Sequence, residues 1–156
     1  MTFTDTHCHL ADPKLADTLL AVLAEAQTIG VARFIVPATS PKDWHSVAQL
    51  ERPSENIHIA LGIHPWFSDG LNEAAFQELE SELIRHPQAW VGEIGLDFYG
   101  KEQTQAQRDM QTDVFIRQLI LAQNLNRRVI IHNLKATAAI AAAVKTAGFT
   151  RGGIVH

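Results

Sequence analysis

The sequence predicts an α/β domain whose parallel strands curl toward a barrel, and three observations carry this prediction. Short apolar runs alternate with longer helical patterns along the whole chain. Runs such as Phe34-Ile35-Val36 and Val129-Ile130-Ile131 are continuously apolar, as in parallel strands that helices cover. Polar residues stand at the carboxyl ends of nearly all the strands, where a barrel gathers its active site. The glycine-rich loop that opens many nucleotide-binding sheets is missing from residues 6–10, so a barrel is favoured over an open doubly wound sheet.

Six strands and five helices are expected, in alternation, within one domain that spans residues 1–156. The strands are Phe3 to His7, Arg33 to Ala38, His58 to Ile63, Trp90 to Leu96, Arg128 to His132 and Gly153 to His156. The helices are Pro13 to Ile29, Pro41 to Glu51, Leu71 to His86, Gln105 to Asn124 and Lys135 to Ala147. The first helix has the clearest limits, with Asp12 as its N-cap and Gly30 just past its end.

The composition is that of an ordinary globular domain, with 46% apolar and 19% charged residues. No run approaches the roughly 20 apolar residues of a membrane span, and residues 1–5 lack the features of a signal peptide. We therefore expect a cytoplasmic protein without a membrane partner. Cys8 is the single cysteine, so an internal disulfide is excluded. The net charge of −4 argues against a basic surface that grips duplex DNA, although bound divalent ions can supply positive charge locally.

Candidate metal ligands recur at the predicted strand ends. His7 and His9 are two residues apart, so both imidazoles point to one side of an extended chain. Each candidate could separately be a hydrogen-bonded core residue, but a shared position on four strands is hard to explain as coincidence. The candidates are His7, His9, Glu93, His132 and His156. By contrast His45, His58 and His86 fall on helices or at a strand start, where a solvated role is expected.

The number of candidate ligands indicates two ions. Four histidines and a glutamate exceed what one four-coordinate ion with an open position requires, so two ions bridged by Glu93 are the economical arrangement. Imidazole and carboxylate suit Zn²⁺, Mn²⁺, Fe²⁺ or Ni²⁺, and also Mg²⁺ when waters complete its shell. Two ions roughly 3.5–4 Å apart are typical of sites that cleave phosphoesters. Asp97, at the same strand end, is expected to fix the tautomer of a ligand.

Several runs recur in a characteristic order: residues 4–10, 61–65 and 91–97, and Gln107-Arg108 followed by a helix and residues 129–132. These runs resemble the TatD family of metal-dependent deoxyribonucleases. The resemblance covers the whole chain, and the order and spacing of the motifs make it specific. It implies a TIM-type (β/α)8 barrel of about 250 residues, here apparently truncated to about six βα units and open.

The resemblance also implies a role for each matched residue. The residue matching Glu93 bridges two divalent ions as the catalytic carboxylate, and the residue matching His64 contacts the scissile phosphate. The first ion is held by His7 and His9 and the second by His132 and His156.

Two departures from the family pattern stand out. In the family, the residue matching His132 is followed by a small polar residue and then by an arginine. This chain has Asn133 and Leu134 there, so any phosphate or carboxylate contact of that arginine is lost unless Lys135 replaces it. The family's last metal ligand, an aspartate that also handles protons, would lie beyond His156.

The sequence thus predicts hydrolysis of phosphodiester bonds in DNA, or in another phosphodiester, by a hydroxide that two metal ions activate. An amidohydrolase-like enzyme that cleaves C–N or ester bonds stays open, because barrels with a His-x-His first strand also host that chemistry. A catalytically impaired fragment that only binds metal is the third interpretation. Open sheet edges would favour self-association of such a chain.

Overall fold

The structure is a computed structural model that describes residues 1–52, 56–100 and 103–156. Its strands are β1 (Phe3–Asp5), β2 (Val31–Pro37), β3 (Ile57–Leu61), β4 (Trp90–Asp97), β5 (Val129–Leu134) and β6 (Gly153–Val155). Its α-helices are α1 (Leu19–Thr28), α2 (Trp44–Ala48), α3 (Glu73–Arg85), α4 (Gln105–Asn124) and α5 (Thr137–Thr146). Short 3-10 helices at Pro13–Leu15 and Pro65–Phe67 complete the set.

The six strands form one parallel sheet in which each strand pairs with the next one along the chain, in the order β1-β2-β3-β4-β5-β6. The sheet curls into a half-barrel, so the predicted α/β barrel class is confirmed. The curl brings the two ends of the sheet together, because the rings of His7, after β1, and His156, after β6, have centroids 4.0 Å apart. Within the described residues β1 and β6 pair only with β2 and β5, respectively.

Side chains alternate across the sheet between two apolar layers. Phe34 and Val36 pack in the main core, which also contains Leu79 and Phe115 of the covering helices. Ile35 and Ile130 point to the opposite, concave face, where they form a smaller cluster with Ala60. Strand residues two apart share a face. His132 and His156 come two residues after Ile130 and Ile154, so they also lie on this concave side.

Two predicted helices differ from the structure. The helix expected over residues 13–29 is instead a 3-10 turn followed by α1. Asp12 caps this turn, and its side chain accepts a hydrogen bond from Lys14 N at 2.9 Å. The chain continues through a bond from Thr18 N to Leu15 O at 2.9 Å, which spans three residues instead of the four of an α-helix, so α1 begins only after it. The helix expected over residues 41–51 is reduced to α2, because the Asp43 carboxylate binds the Thr39 and Ser40 amides and holds a turn there.

Part of the sheet depends on glycines that let β3, β4 and β5 approach closely. A Cβ on Gly92 would lie 2.8 Å from Cβ of Ile130, and one on Gly62 would lie 2.9 Å from Cα of Gly92. Gly95 has φ +137°, and a Cβ there would overlap the carbonyl oxygen of His132 on β5. Gly95 therefore sets how near the end of β4 comes to β5.

We expect Gly95→Ala to destabilise the protein by about 2 kcal/mol more than Gly100→Ala, because the new methyl group overlaps the backbone of β5. Gly100 is the matched control: its φ is +147°, and a Cβ there meets no described atom within 4 Å. Urea unfolding followed by circular dichroism measures the difference. Equal midpoints for the two variants would contradict the close approach of β4 to β5.

Candidate metal centre

The centre is built around Glu93 on β4, whose side chain is buried and faces histidines from the neighbouring strand ends. Its two carboxylate oxygens meet different groups of imidazoles. Oε2 lies 3.3 Å from His7 Nε2. Oε1 lies 3.0 Å from both His132 Nδ1 and His156 Nε2. The carboxylate thus stands between two sets of ligands that come from opposite ends of the sheet.

The first set contains His7 and His9, which follow β1. Their Nε2 atoms are 3.1 Å apart and their rings are nearly perpendicular, at 83°. Cys8, between them, points away and directs its thiol at Ile35 O, 3.5 Å distant. Burial raises the pKa of this thiol to about 12, and nearby Asp5 adds to the rise, so Cys8 stays a neutral thiol outside the centre.

Zinc ligands stand about 2.0–2.1 Å from the ion, so two of them at a tetrahedral angle are about 3.3 Å apart. The distances of 3.1 Å and 3.3 Å around His7 Nε2 match this spacing. The ligand atoms of His7, His9 and Glu93 lie within 4.8 Å of one another, and so do those of His64, Glu93 and His132. The donor set therefore fits divalent ions.

Charge supports the same conclusion. Glu93 is 3% exposed, and its ion pairs among residues 1–52, 56–100 and 103–156 are with histidines. Burial lowers the pKa of His7 below its usual value, against the opposing effect of Glu93, and burial lowers that of His64 to about 4. Neutral imidazoles bind metal but leave a buried carboxylate without a countercharge, which divalent ions would supply.

His64 follows β3 and has a different hydrogen-bonding state from the other histidines. The backbone N–H of Trp66 donates to His64 Nδ1 at 3.2 Å, so this nitrogen carries the lone pair of the neutral ring. Its proton is then on Nε2, which lies 3.5 Å from Glu93 Oε1. His64 consequently offers the centre a hydrogen-bond donor through Nε2.

Asp97, at the end of β4, links the centre to an exposed aromatic ring. Its Oδ2 lies 3.4 Å from His132 Nε2 and accepts from Trp66 Nε1 at 2.6 Å. Tyr99 N donates to the other oxygen, Oδ1, at 2.9 Å. Asp97 is therefore held in place beside the outer nitrogen of His132.

Two buried glutamines on α4 support the strand ends, and the sequence analysis missed both. Gln118 is fully buried; its Oε1 accepts from Ile63 N at 2.8 Å and its Nε2 donates to Ile63 O at 3.0 Å. Gln111 Oε1 accepts from Asp97 N at 3.0 Å. The detectable signal is the spacing of seven residues, which places both amides in the apolar stripe of α4 that also contains Val114 and Phe115.

The structure brings together all the residues that the sequence singled out for the centre: His7, His9, His64, Glu93, Asp97, His132 and His156. All except Asp97 line a cavity of about 340 Å³, with Thr39, Trp66 and Phe67. Lys135 is not among the lining residues, and its Nζ lies 4.9 Å from the ring centre of Tyr99. Outside the centre, His45 pairs with Gln49 and His86 with Glu51, both at 2.8 Å.

Comparison with known proteins places the chain in one family. The family model described as TatD related DNase matches residues 4–156. The Escherichia coli (strain K12) metal-dependent hydrolase YjjV is 33% identical over 99% of this chain and 59% of its own length. Human deoxyribonuclease TATDN3 is 31% identical over 85% of this chain and 52% of its own.

Solved structures show the same likeness. The crystal structure of E. coli YjjV superposes with a TM-score of 0.88, over 99% of this chain and 59% of that one. A TatD family hydrolase from Entamoeba histolytica, 19% identical, shares the fold with a TM-score of 0.79. The chain thus spans somewhat more than half the length of the relatives it matches.

We expect Gln118→Met to destabilise the protein by about 2–5 kcal/mol, because the buried N–H and C=O of Ile63 each lose their partner. Gln105→Met is the matched control, since Gln105 is exposed and its side chain bonds only to Asp109 among the described residues. Thermal unfolding compares the two. A Gln118→Met variant as stable as the control would contradict the role of this clamp.

Proposed function

Because the chain belongs to the TatD-related DNase family, we propose that it forms the site of a metal-dependent hydrolase that cleaves phosphodiester bonds of DNA with two divalent ions. The observation that carries this proposal is the divided environment of Glu93, whose Oε2 faces His7 and whose Oε1 faces His132 and His156. A carboxylate in this position can share its two oxygens between two ions.

The ligand sets follow from these contacts. One ion would be held by His7, His9 and Glu93, whose ligand atoms lie within 4.8 Å of one another. The other would be held by Glu93, His132 and His156, since both imidazoles lie 3.0 Å from Glu93 Oε1. The donors suit Zn²⁺, Mn²⁺, Fe²⁺ or Ni²⁺, and Mg²⁺ with added waters. Ions bound there would lower the pKa of a water molecule and neutralise charge on the phosphate oxygens.

The protein's own groups would orient the substrate and the ligands. His64 carries its proton on Nε2 and so could donate to a phosphate oxygen, which supports a substrate-binding role rather than ligation through Nε2. Asp97 Oδ2, 3.4 Å from His132 Nε2, would hold the proton of that nitrogen and leave Nδ1 free to bind metal.

DNA as the substrate is supported by relatives named as deoxyribonucleases. The chain has a net charge of −4, so its attraction for a polyanion would come from the ions at the centre rather than from a basic surface.

No helix among the described residues is long and apolar enough to cross a membrane.

We expect Glu93→Gln to abolish metal binding and hydrolysis, because it removes the charge that holds two cations together. His64→Asn should retain the metal and lose less activity, because it removes only a donor to the phosphate. Metal content by mass spectrometry and cleavage of a labelled single-stranded oligonucleotide measure both effects. Equal metal content and equal rates in the two variants would refute the bridging role.

The same preparation separates the alternative functions. A phosphodiester and an amide substrate, assayed side by side, distinguish the nuclease from an amidohydrolase-like enzyme. Stoichiometric metal without turnover of either would support a chain that only binds metal.

Self-association of this chain is a further proposal, based on its sheet edges. Phe3 on β1 and Val155 on β6 are 53% and 56% exposed, on the two strands that end the sheet. Exposed strand edges with apolar side chains favour pairing between copies. We expect light scattering of the 156-residue chain to give a mass above that of a monomer, and Phe3→Lys with Val155→Lys to restore the monomer. A monomeric wild-type chain at all concentrations would contradict this.

A further inference from the structure

Trp66 separates the metal centre from a second cavity. It follows His64 by two residues and lines the cavity of about 340 Å³ that contains the ligands. It also lines a neighbouring cleft of about 320 Å³, on the side of the 3-10 helix and α4. A group that extends from a phosphate at the metal centre toward this cleft would therefore meet the indole ring.

The ring is exposed and yet fixed. Trp66 is 70% exposed, although large aromatic side chains usually bury most of their surface. Its Nε1 donates to Asp97 Oδ2 at 2.6 Å, and the ring stands 4.9 Å from that of His64 at 77°. A planar apolar surface held in this way loses little conformational freedom when a ligand stacks on it.

The cleft beyond Trp66 suits an uncharged group. Its described lining residues include the hydroxyl of Ser68, the amide of Gln107 and the thioether of Met110, with Asp69 as the only charged side chain. No cation is among the described lining residues, and the Asp69 carboxylate repels a second phosphate. Amide and hydroxyl groups can instead form hydrogen bonds with the edge of a neutral planar ring.

We propose that Trp66 forms a nucleobase subsite, in which the base next to the scissile phosphate stacks on the indole and extends into the cleft. This inference rests on the proposed function and deepens it: the substrate is a phosphodiester that carries an unpaired base at this position. Stacking on an aromatic side chain tolerates any base, because every base presents a π-face.

A merely structural role for Trp66 is the competing explanation, because its hydrogen bond to Asp97 reaches toward His132. Two variants separate the explanations. Trp66→Phe keeps an aromatic face and loses the N–H donor, whereas Trp66→Leu loses both. Stacking predicts that only Trp66→Leu is impaired, while positioning through Asp97 predicts that both variants are.

The test measures binding by fluorescence anisotropy on the metal-loaded chain. The probes are a labelled pentathymidylate and a pentamer of abasic tetrahydrofuran phosphates, both with phosphorothioate linkages that slow cleavage. They carry the same charge and differ only in the bases. Metal content and thermal unfolding of each variant show that the centre and the fold are intact.

Under the proposal, wild type binds the thymidylate more tightly than the abasic probe by about fivefold to 100-fold, as expected for aromatic–base stacking. Trp66→Phe stays within about threefold of wild type on both probes, and Trp66→Leu loses the preference for bases without losing affinity for the abasic probe. The thymidylate should also quench wild-type tryptophan fluorescence, because Trp66 is 70% exposed at the site, whereas Trp44 is buried and the part-buried Trp90 begins β4, at the end of the strand away from Asp97.

Equal affinity of wild type for the two probes would overturn the base subsite, and so would equal losses in Trp66→Phe and Trp66→Leu. Hydrolysis is not needed for either result. A base preference that depends on Trp66, found without cleavage of any phosphodiester, would support the subsite and contradict the proposed hydrolase function alone.

Discussion

The burial of the Glu93 carboxylate is the constraint on which the rest of the structure depends. A charge 3% exposed at the mouth of a curled sheet is stable only with compensating partners, and the partners that the described residues provide are imidazoles. These come from the ends of β1, β3, β5 and β6, so the carboxylate needs all of these strand ends at one point. The curl that brings His7 to 4.0 Å from His156 satisfies that need.

The curl itself depends on small residues and on the concave apolar cluster. Gly62, Gly92 and Gly95 allow β3, β4 and β5 to approach where a Cβ would collide with the next strand. Below the histidines, Ile35 and Ile130 fill the concave side and exclude water from the floor of the centre. Backbone proximity and apolar packing thus determine how close the ligands can come.

Hydrogen bonds from the covering helices fix the positions of the strand ends, which apolar packing alone does not do. Gln118 bonds both backbone groups of Ile63, the residue before His64, and Trp44 Nε1 donates to Gly62 O at 2.8 Å. Gln111 Oε1 accepts one bond, from Asp97 N at 3.0 Å. Each buried amide is costly unless its bonds are made, so these bonds form only when the strand ends are correctly placed. The helices that cover the sheet therefore also position the groups at its carboxyl edge.

The sequence by itself determined which side chains meet around Glu93, because parallel strands bring their carboxyl ends to one edge and each candidate ligand sits in a local pattern at such an end. It also determined α4, whose predicted and observed limits agree at Gln105 and Asn124. Local patterns failed where the Asp43 carboxylate bound backbone N–H groups and where the bond from Thr18 N to Leu15 O formed a tighter turn. Only the tertiary structure decided which oxygen of Glu93 faces which histidine, which nitrogen of His64 carries the proton, and why Gln118 is buried. Those facts depend on distances between side chains up to 86 residues apart, from His7 to Glu93, and no local periodicity encodes such distances.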